Sequence, residues 1–139
     1  RTSPHPTLIS FDCPDSNTTN LQRSVSNTPL QALTTLNNDV FTEAAQAMAR
    51  RVLTDGGESD EQRLHFALRL CISRQPSDAD TERFRVLLDK ARTYYQSNEE
   101  DAKKLANRHT ADNVPPAEFA AWIATLRIVL NLDEFIVRG

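Results

Sequence analysis

A carboxylate, a guanidinium and an amide stand on the non-helical start of this chain: Asp12 in "SFDCPD", then Arg23 and Asn27. Such groups could line a site if a folded core fixes the segment, because loops on rigid scaffolds carry many binding and catalytic side chains. A plainer role competes with that one: Asp12 pairs with Arg23 and pins the segment down, since structural ion pairs also order side chains. Arg127 poses the same question near the other end, with Asp133 and Glu134 downstream. There the pattern favours a partly buried ion pair over a substrate contact.

No complete catalytic set accompanies these residues. His5, His65 and His109 are scattered, and only Glu61 and His65 share a helical i, i+4 spacing, which reads as a surface contact rather than a ligand set. The chain has no G-x-S-x-G and no phosphate-loop motif, and it has three glycines. Cys13 and Cys71 lie far apart with no C-x-x-C or C-x-x-C-H, so neither a zinc site nor covalent haem is expected. They read as two free thiols, with a Cys13–Cys71 disulfide as the alternative in an exported protein. Met48, the single methionine, reads as core filler. We therefore expect no metal, no cofactor and no catalytic residue belonging to this chain alone.

Composition narrows the partners. At 139 residues the chain suits one domain with a modest core. A net charge of -3 leaves no positive excess to hold a phosphate backbone, so nucleic-acid binding is not expected. The longest apolar run, "AEFAAWIATLRIVLNL", is interrupted by Arg127 and falls short of the roughly 20 residues of a membrane span. No membrane partner is expected, and the oligomeric state stays open. The opening "RTSPHPTLISFDCPD" has no signal-peptide pattern. Beginning at Arg1 instead of a Met, it is what a piece of a longer polypeptide would show.

The elements that would position these residues are helical. Residues 1–27, with Pro4, Pro6, Pro14 and "DSNTTN", read as an extended polar arm in which "LISF" is a short strand or a hydrophobic anchor. The helical domain spans 28–139. Thr28 is an N-cap, Pro29 suits the first helical position, and Leu30, Leu33 and Leu36 line one face of a short helix. Asn37 and Asn38 end it. A second helix carries Phe41, Ala44, Ala45, Met48, Val52 and Leu53 inside and stops at Gly56 and Gly57. Ser59 with Gln62 makes a capping-box pattern before Leu64, Ala67, Leu68, Cys71 and Ile72. Ser77 caps a fourth helix carrying Phe84, Leu87, Leu88, Ala91, Tyr94 and Tyr95. "NEEDAKKLANRH" reads as a short surface helix or a continuation of the fourth. Pro115 and Pro116 open a last helix with Phe119, Trp122, Ile123, Leu126 and Leu130 at the centre of the core. The expected fold is all-α, an irregular or orthogonal array of about five or six helices.

The stretch "FDCPDSNTTNLQRSVSNTPLQALTTLNNDVFTEAAQAMARRVL" then resembles a known family: the C-terminal planctomycete-specific domain of unknown function, the domain of unknown function 1553 family. The matching pattern reads F-D-x-P-(D/N), an Arg, "NTPLQAL", "LN(N/D)", a Phe and "EAA". "LCISRQP" resembles its R-x-P joint, and "AWIATLRIVLNLDEFIVR" its closing helix with an "NLxEF" ending. One departure lies at Val25 or Ser26, where the family often carries a second basic residue. The resemblance implies a large, exported, extracytoplasmic parent protein with further domains upstream, often including a cytochrome-c-like module. It makes Phe11, Asp12, Pro14, Arg23, Asn27, Thr28, Pro29 and Asn37 candidates for a shared site or interface.

Three roles follow as expectations. The first is a non-catalytic helical module that packs on an upstream domain of its own parent chain, with an apolar patch near the arm and first helix. The second is part of an enzyme site completed by that domain. The third is a peptide- or partner-binding module with a groove bearing Tyr94 or Tyr95.

Overall fold

The computed structural model describes residues 6–14, 17, 19, 21, 26, 28–106 and 113–137. Proline and capping residues set most of the helix starts. Pro6 opens α1 (Pro6–Ser10), and Pro29 opens α2 (Pro29–Asn37) behind the N-cap Thr28. Asn38 ends α2 in an extended conformation and caps α3 (Asp39–Asp55) by accepting from the Val40 N–H at 2.9 Å. The left-handed geometry often seen at asparagine helix ends is not used here: one extended residue serves both helices.

Gly57 sits at φ +99°, and a Cβ there would lie 2.7 Å from the Gln62 Oε1. The turn into α4 (Asp60–Ile72) thus needs a residue without a side chain. Ser59 and Gln62 form the anticipated capping box, and Ser77 with Asp80 forms another at the start of α5 (Asp78–Ser97). Ser73 ends α4 with a left-handed φ of 55°. α6 (Glu99–Ala106) is a separate helix after a break at Asn98. It is more than surface cover, for its Ala102 and Ala106 are buried and Gln46 of α3 donates to the Leu105 carbonyl at 2.7 Å. α7 (Pro116–Val129) and α8 (Asp133–Ile136) complete the order.

The fold is all-α, with eight helices and no strand among the described residues. That exceeds the expected five or six because α1 and α8, at five and four residues, are too short to show a periodicity. "LISF" is correspondingly neither strand nor extended arm: Leu8, Ile9 and Ser10 lie on α1.

The core forms around α7, which packs on α3, α5 and α6. Phe119, Trp122, Ile123, Leu126 and Leu130 are all buried, as their spacing predicts. From α3 come Ala45, Ala49 and Val52, from α4 Leu64, Ala67 and Leu68, and from α5 Phe84 and Leu88. The α3 stripe is shifted from the expected one: Ala44 is exposed and Phe41 only partly buried, while Ala49 takes a core position. Small residues there let α3 approach α7 closely.

α2 breaks the rule that apolar faces turn inward. Its buried residues are Gln31 and Thr35, whereas Leu30 and Leu33 are 61% and 56% exposed. Of the leucine row, Leu30 and Leu33 are turned away from the bundle, while Leu36 is partly buried.

Candidate functional site

The polar inner face of α2 explains that inversion. Gln31 is only 1% exposed, and burial of an amide is tolerable only when its donors and acceptor are satisfied. Its Oε1 accepts from the Thr28 N–H at 2.8 Å while the Thr28 hydroxyl accepts from the Gln31 N–H at 3.3 Å, a reciprocal cap. Its Nε2 donates to the Ser26 Oγ at 3.0 Å and to the Asp12 Oδ2 at 3.4 Å. Ser26 in turn donates to the same Asp12 oxygen. Asp12 reaches this position from just past α1, in the left-handed region at φ 53°, which Asp tolerates better than most residues. Beside it, Phe11 stacks obliquely on Phe41 of α3 with ring centroids 5.9 Å apart.

The C-terminal half of α2 is anchored in the same polar manner. The Thr35 hydroxyl donates to the Ala32 carbonyl at 2.8 Å and contacts the Asn131 Oδ1 beyond α7. Arg127 of α7 donates from Nη2 to the Leu36 carbonyl, one of the last carbonyls of α2. A guanidinium there both satisfies a carbonyl left over at a helix end and suits the helix dipole. This corrects the expected ion pair of Arg127 with Asp133 or Glu134: Glu134 is engaged by Arg74 instead, and the Arg127 Nε is buried without a hydrogen-bond partner among the described residues.

Of the sequence-derived candidates, the structure brings Phe11, Asp12 and Thr28 together at the start of α2, with Pro29 as its first residue. Pro14 is exposed nearby in the chain. Asn37 stands at the far end of α2, donating to the Leu33 carbonyl at 2.9 Å. Arg23 and Asn27 lie outside the described residues, so the proposed Asp12–Arg23 pair does too. The partners of Asp12 that are described are Ser26 and Gln31. Sequence reasoning missed both, although the T-x-x-Q spacing of Thr28 and Gln31 is a capping-box signal.

This cluster holds the segment after α1 against the start of α2. The one described histidine, His65, lies on α4. Among the described residues no group of three or more His, Cys, Asp and Glu is arranged to hold a metal ion, and no helix is long and apolar enough to cross a membrane. Cys13 and Cys71 are both free thiols.

What the cluster does present is an apolar outer surface. Leu8 and Ile9 on α1, Leu30 and Leu33 on α2, and Val40 at the start of α3 are all more than half exposed. α1 packs on α2 and α2 on α3, so these side chains belong to one end of the molecule. α2 itself has no charged residue.

Of the two tyrosines, Tyr94 is 51% exposed and Tyr95 partly buried. Tyr94 and Tyr95 meet edge to face with centroids 5.0 Å apart, the Tyr94 hydroxyl donates to the Asp101 Oδ2 at 2.9 Å, and Tyr95 packs against the core. A depression of about 520 Å³ exists elsewhere, between α4 and α8, and neither tyrosine lines it.

Arg92 of α5 is a further residue the sequence did not single out. It bridges Asp60 at the start of α4 and Glu118 in the first turn of α7. Its hydrogen bonds to Asp60 and then to Glu118 keep the guanidinium charged, and they hold the Asp60 carboxyl below its usual range.

In comparison with known families, the model described as "PSD1: Protein of unknown function (DUF1553)" matches residues 1–88. Neither the curated proteins nor the solved structures yield a match.

Proposed function

The chain belongs to the DUF1553 family of proteins of unknown function, and we propose that it is a non-catalytic helical module that docks, through the outer face of α1 and α2, on another domain of its own polypeptide. The observation that carries this reading is the inverted α2. A nine-residue helix that buries Gln31 and Thr35 and turns Leu30 and Leu33 to solvent is arranged for a second apolar partner. Leu8, Ile9 and Val40 extend that face. The absence of charge on α2 suits a partner surface that is likewise uncharged. An exported, extracytoplasmic parent with further upstream domains is the setting that the F-D-x-P and NTPLQAL motifs suggest, and a tethered partner domain would supply a high effective concentration for such a contact.

Replacing Leu30 and Leu33 by Asp in the full-length parent tests the docking. The expected result is that this module and its neighbouring domain melt independently, while the same changes leave the stability of the isolated chain within about 0.5 kcal/mol. Loss of stability in the isolated chain would sink the proposal, because it would make the leucines part of this module's own core. The competing role, a share in an enzyme site, predicts that alanine at Asp12, Arg23 or Asn27 abolishes an activity of the parent at unchanged melting temperature. The bonds that Ser26 and Gln31 make to the Asp12 Oδ2 favour a structural role for that carboxylate.

A further inference from the structure

The depression between α4 and α8 is lined by Leu70 to Ser73 on one side and by Glu134, Phe135 and Val137 on the other. Its outer wall is a lightly anchored piece of chain. No residue of α8 is buried, and Phe135 is 36% exposed. Just before it the chain is well fixed: Leu132 packs on the core, and Asn131 meets Thr35. Arg74, in the joint between α4 and α5, ties the outer wall back to the bundle. It donates from Nε to Oε2 and from Nη2 to Oε1 of Glu134, both at 2.8 Å, and from Nη1 to the Asp80 Oδ2 at 3.3 Å.

The geometry of that pair is good but its setting is weak. The Arg74 and Glu134 side chains are 45% and 50% exposed, and ion pairs in contact with water contribute little net stability. A segment with little buried area opens locally at a free energy well below that of global unfolding. We infer that residues 133–137 form a strap latched by the Arg74–Glu134 pair, and that unlatching swings the strap off α4 and bares Cys71 and the apolar wall around it while the bundle stays folded.

Cys71 reports on the strap directly. It is partly buried, with its Sγ 3.7 Å from the Met48 Sδ, and burial pushes its thiol up to about 11. Only the thiolate attacks an electrophile at a useful rate, so the closed form should label slowly and the open form quickly. The chain has two cysteines, so Cys13→Ser leaves Cys71 as the single thiol.

The experiment measures N-ethylmaleimide labelling of Cys71 in the C13S chain, alone and combined with E134Q or R74Q, near neutral pH, with a thermal melt of each. E134Q should raise the labelling rate about fivefold, the population change set by losing one exposed ion pair, and R74Q should follow it. Both melting midpoints should stay within about 3 °C of the C13S chain. Unchanged labelling in E134Q would overturn the latch. Faster labelling with a larger fall in midpoint would overturn the strap, since Cys71 would then be reached by unfolding the bundle.

Discussion

Arg92 closes on Glu118 with two hydrogen bonds at once, Nε to Oε2 at 2.8 Å and Nη2 to Oε1 at 2.6 Å. The same guanidinium takes Asp60 by Nη1 to Oδ2 at 2.6 Å and Nη2 to Oδ1 at 2.9 Å. The Glu118 Oε1 also accepts from the Trp122 indole N–H at 2.9 Å, so one carboxylate joins the clamp to the largest core side chain. Three helices, α4, α5 and α7, meet at this point.

Arg92→Met keeps the aliphatic stem but leaves two carboxylates facing each other without their cation. The loss should be about 2 kcal/mol, below the cost of breaking a fully buried pair because the site is partly open to water. Urea unfolding measures it. A change of a few tenths of a kcal/mol would show that the clamp is ornamental.

The clamp also sets an acid limit. Hydrogen bonding to Arg92 depresses the Asp60 carboxyl in the folded chain below its ordinary 3.8. A depressed folded value means that the unfolded chain binds the proton more readily. The contribution is therefore complete above about 3.8 and is lost as pH falls through the lower folded value. Stability measured against pH should drop in that acid window, and Asp60→Asn should flatten the drop. An unchanged profile in Asp60→Asn would contradict the coupling.

Trp122→Ala should cost about 3–5 kcal/mol, because the ring is fully buried in the middle of α7 and its removal leaves a cavity. Trp122→Phe should cost less while still freeing Glu118 from one donor. Denaturant midpoints order the two variants. A Phe variant as unstable as the Ala variant would put the weight on the indole N–H instead of the packing.

The elements that were legible in the sequence are those whose signals are local. Ser59–Gln62, Ser77–Asp80 and Pro116 mark helix starts through contacts within four residues, and the α7 stripe is apolar enough that any packing buries it. The inversion of α2 was not legible. Leu30, Leu33 and Leu36 have the right spacing, but which face turns inward depends on Asn131, Arg127 and Asp12, which meet α2 only in the folded chain. The same reason hides the Arg92 clamp, whose partners lie 32 and 26 residues away, and the Arg74–Glu134 latch, 60 residues apart. Of the candidate site, the motif residues around Thr28 were readable, while the network that links them through Gln31 was not.

Gln31 and Thr28 should behave as one unit. Thr28→Ala should cost about 1 kcal/mol through the lost cap. Gln31→Leu should cost about 2 kcal/mol or more, since it strands the Thr28 N–H, Ser26 and Asp12 around an apolar side chain. In the double variant the losses should fall short of their sum, because both remove the same reciprocal bonds. Strict additivity in a double-mutant cycle would mean that the two caps act independently.

The polar attachment of α2 also has a thermal consequence. The heat-capacity change of unfolding rises with exposed apolar surface and falls with exposed polar surface. Releasing α2 from the bundle uncovers Gln31, Thr35 and the Leu36 carbonyl, while Leu30 and Leu33 are already wet. This step should therefore add little to the heat capacity that dissolving the α7 core contributes. Since hydrophobic burial weakens on cooling, the grip on α2 should hold nearly constant toward low temperature while the core around Trp122 loosens. The α2 edge would then be the part of the molecule least sensitive to cold.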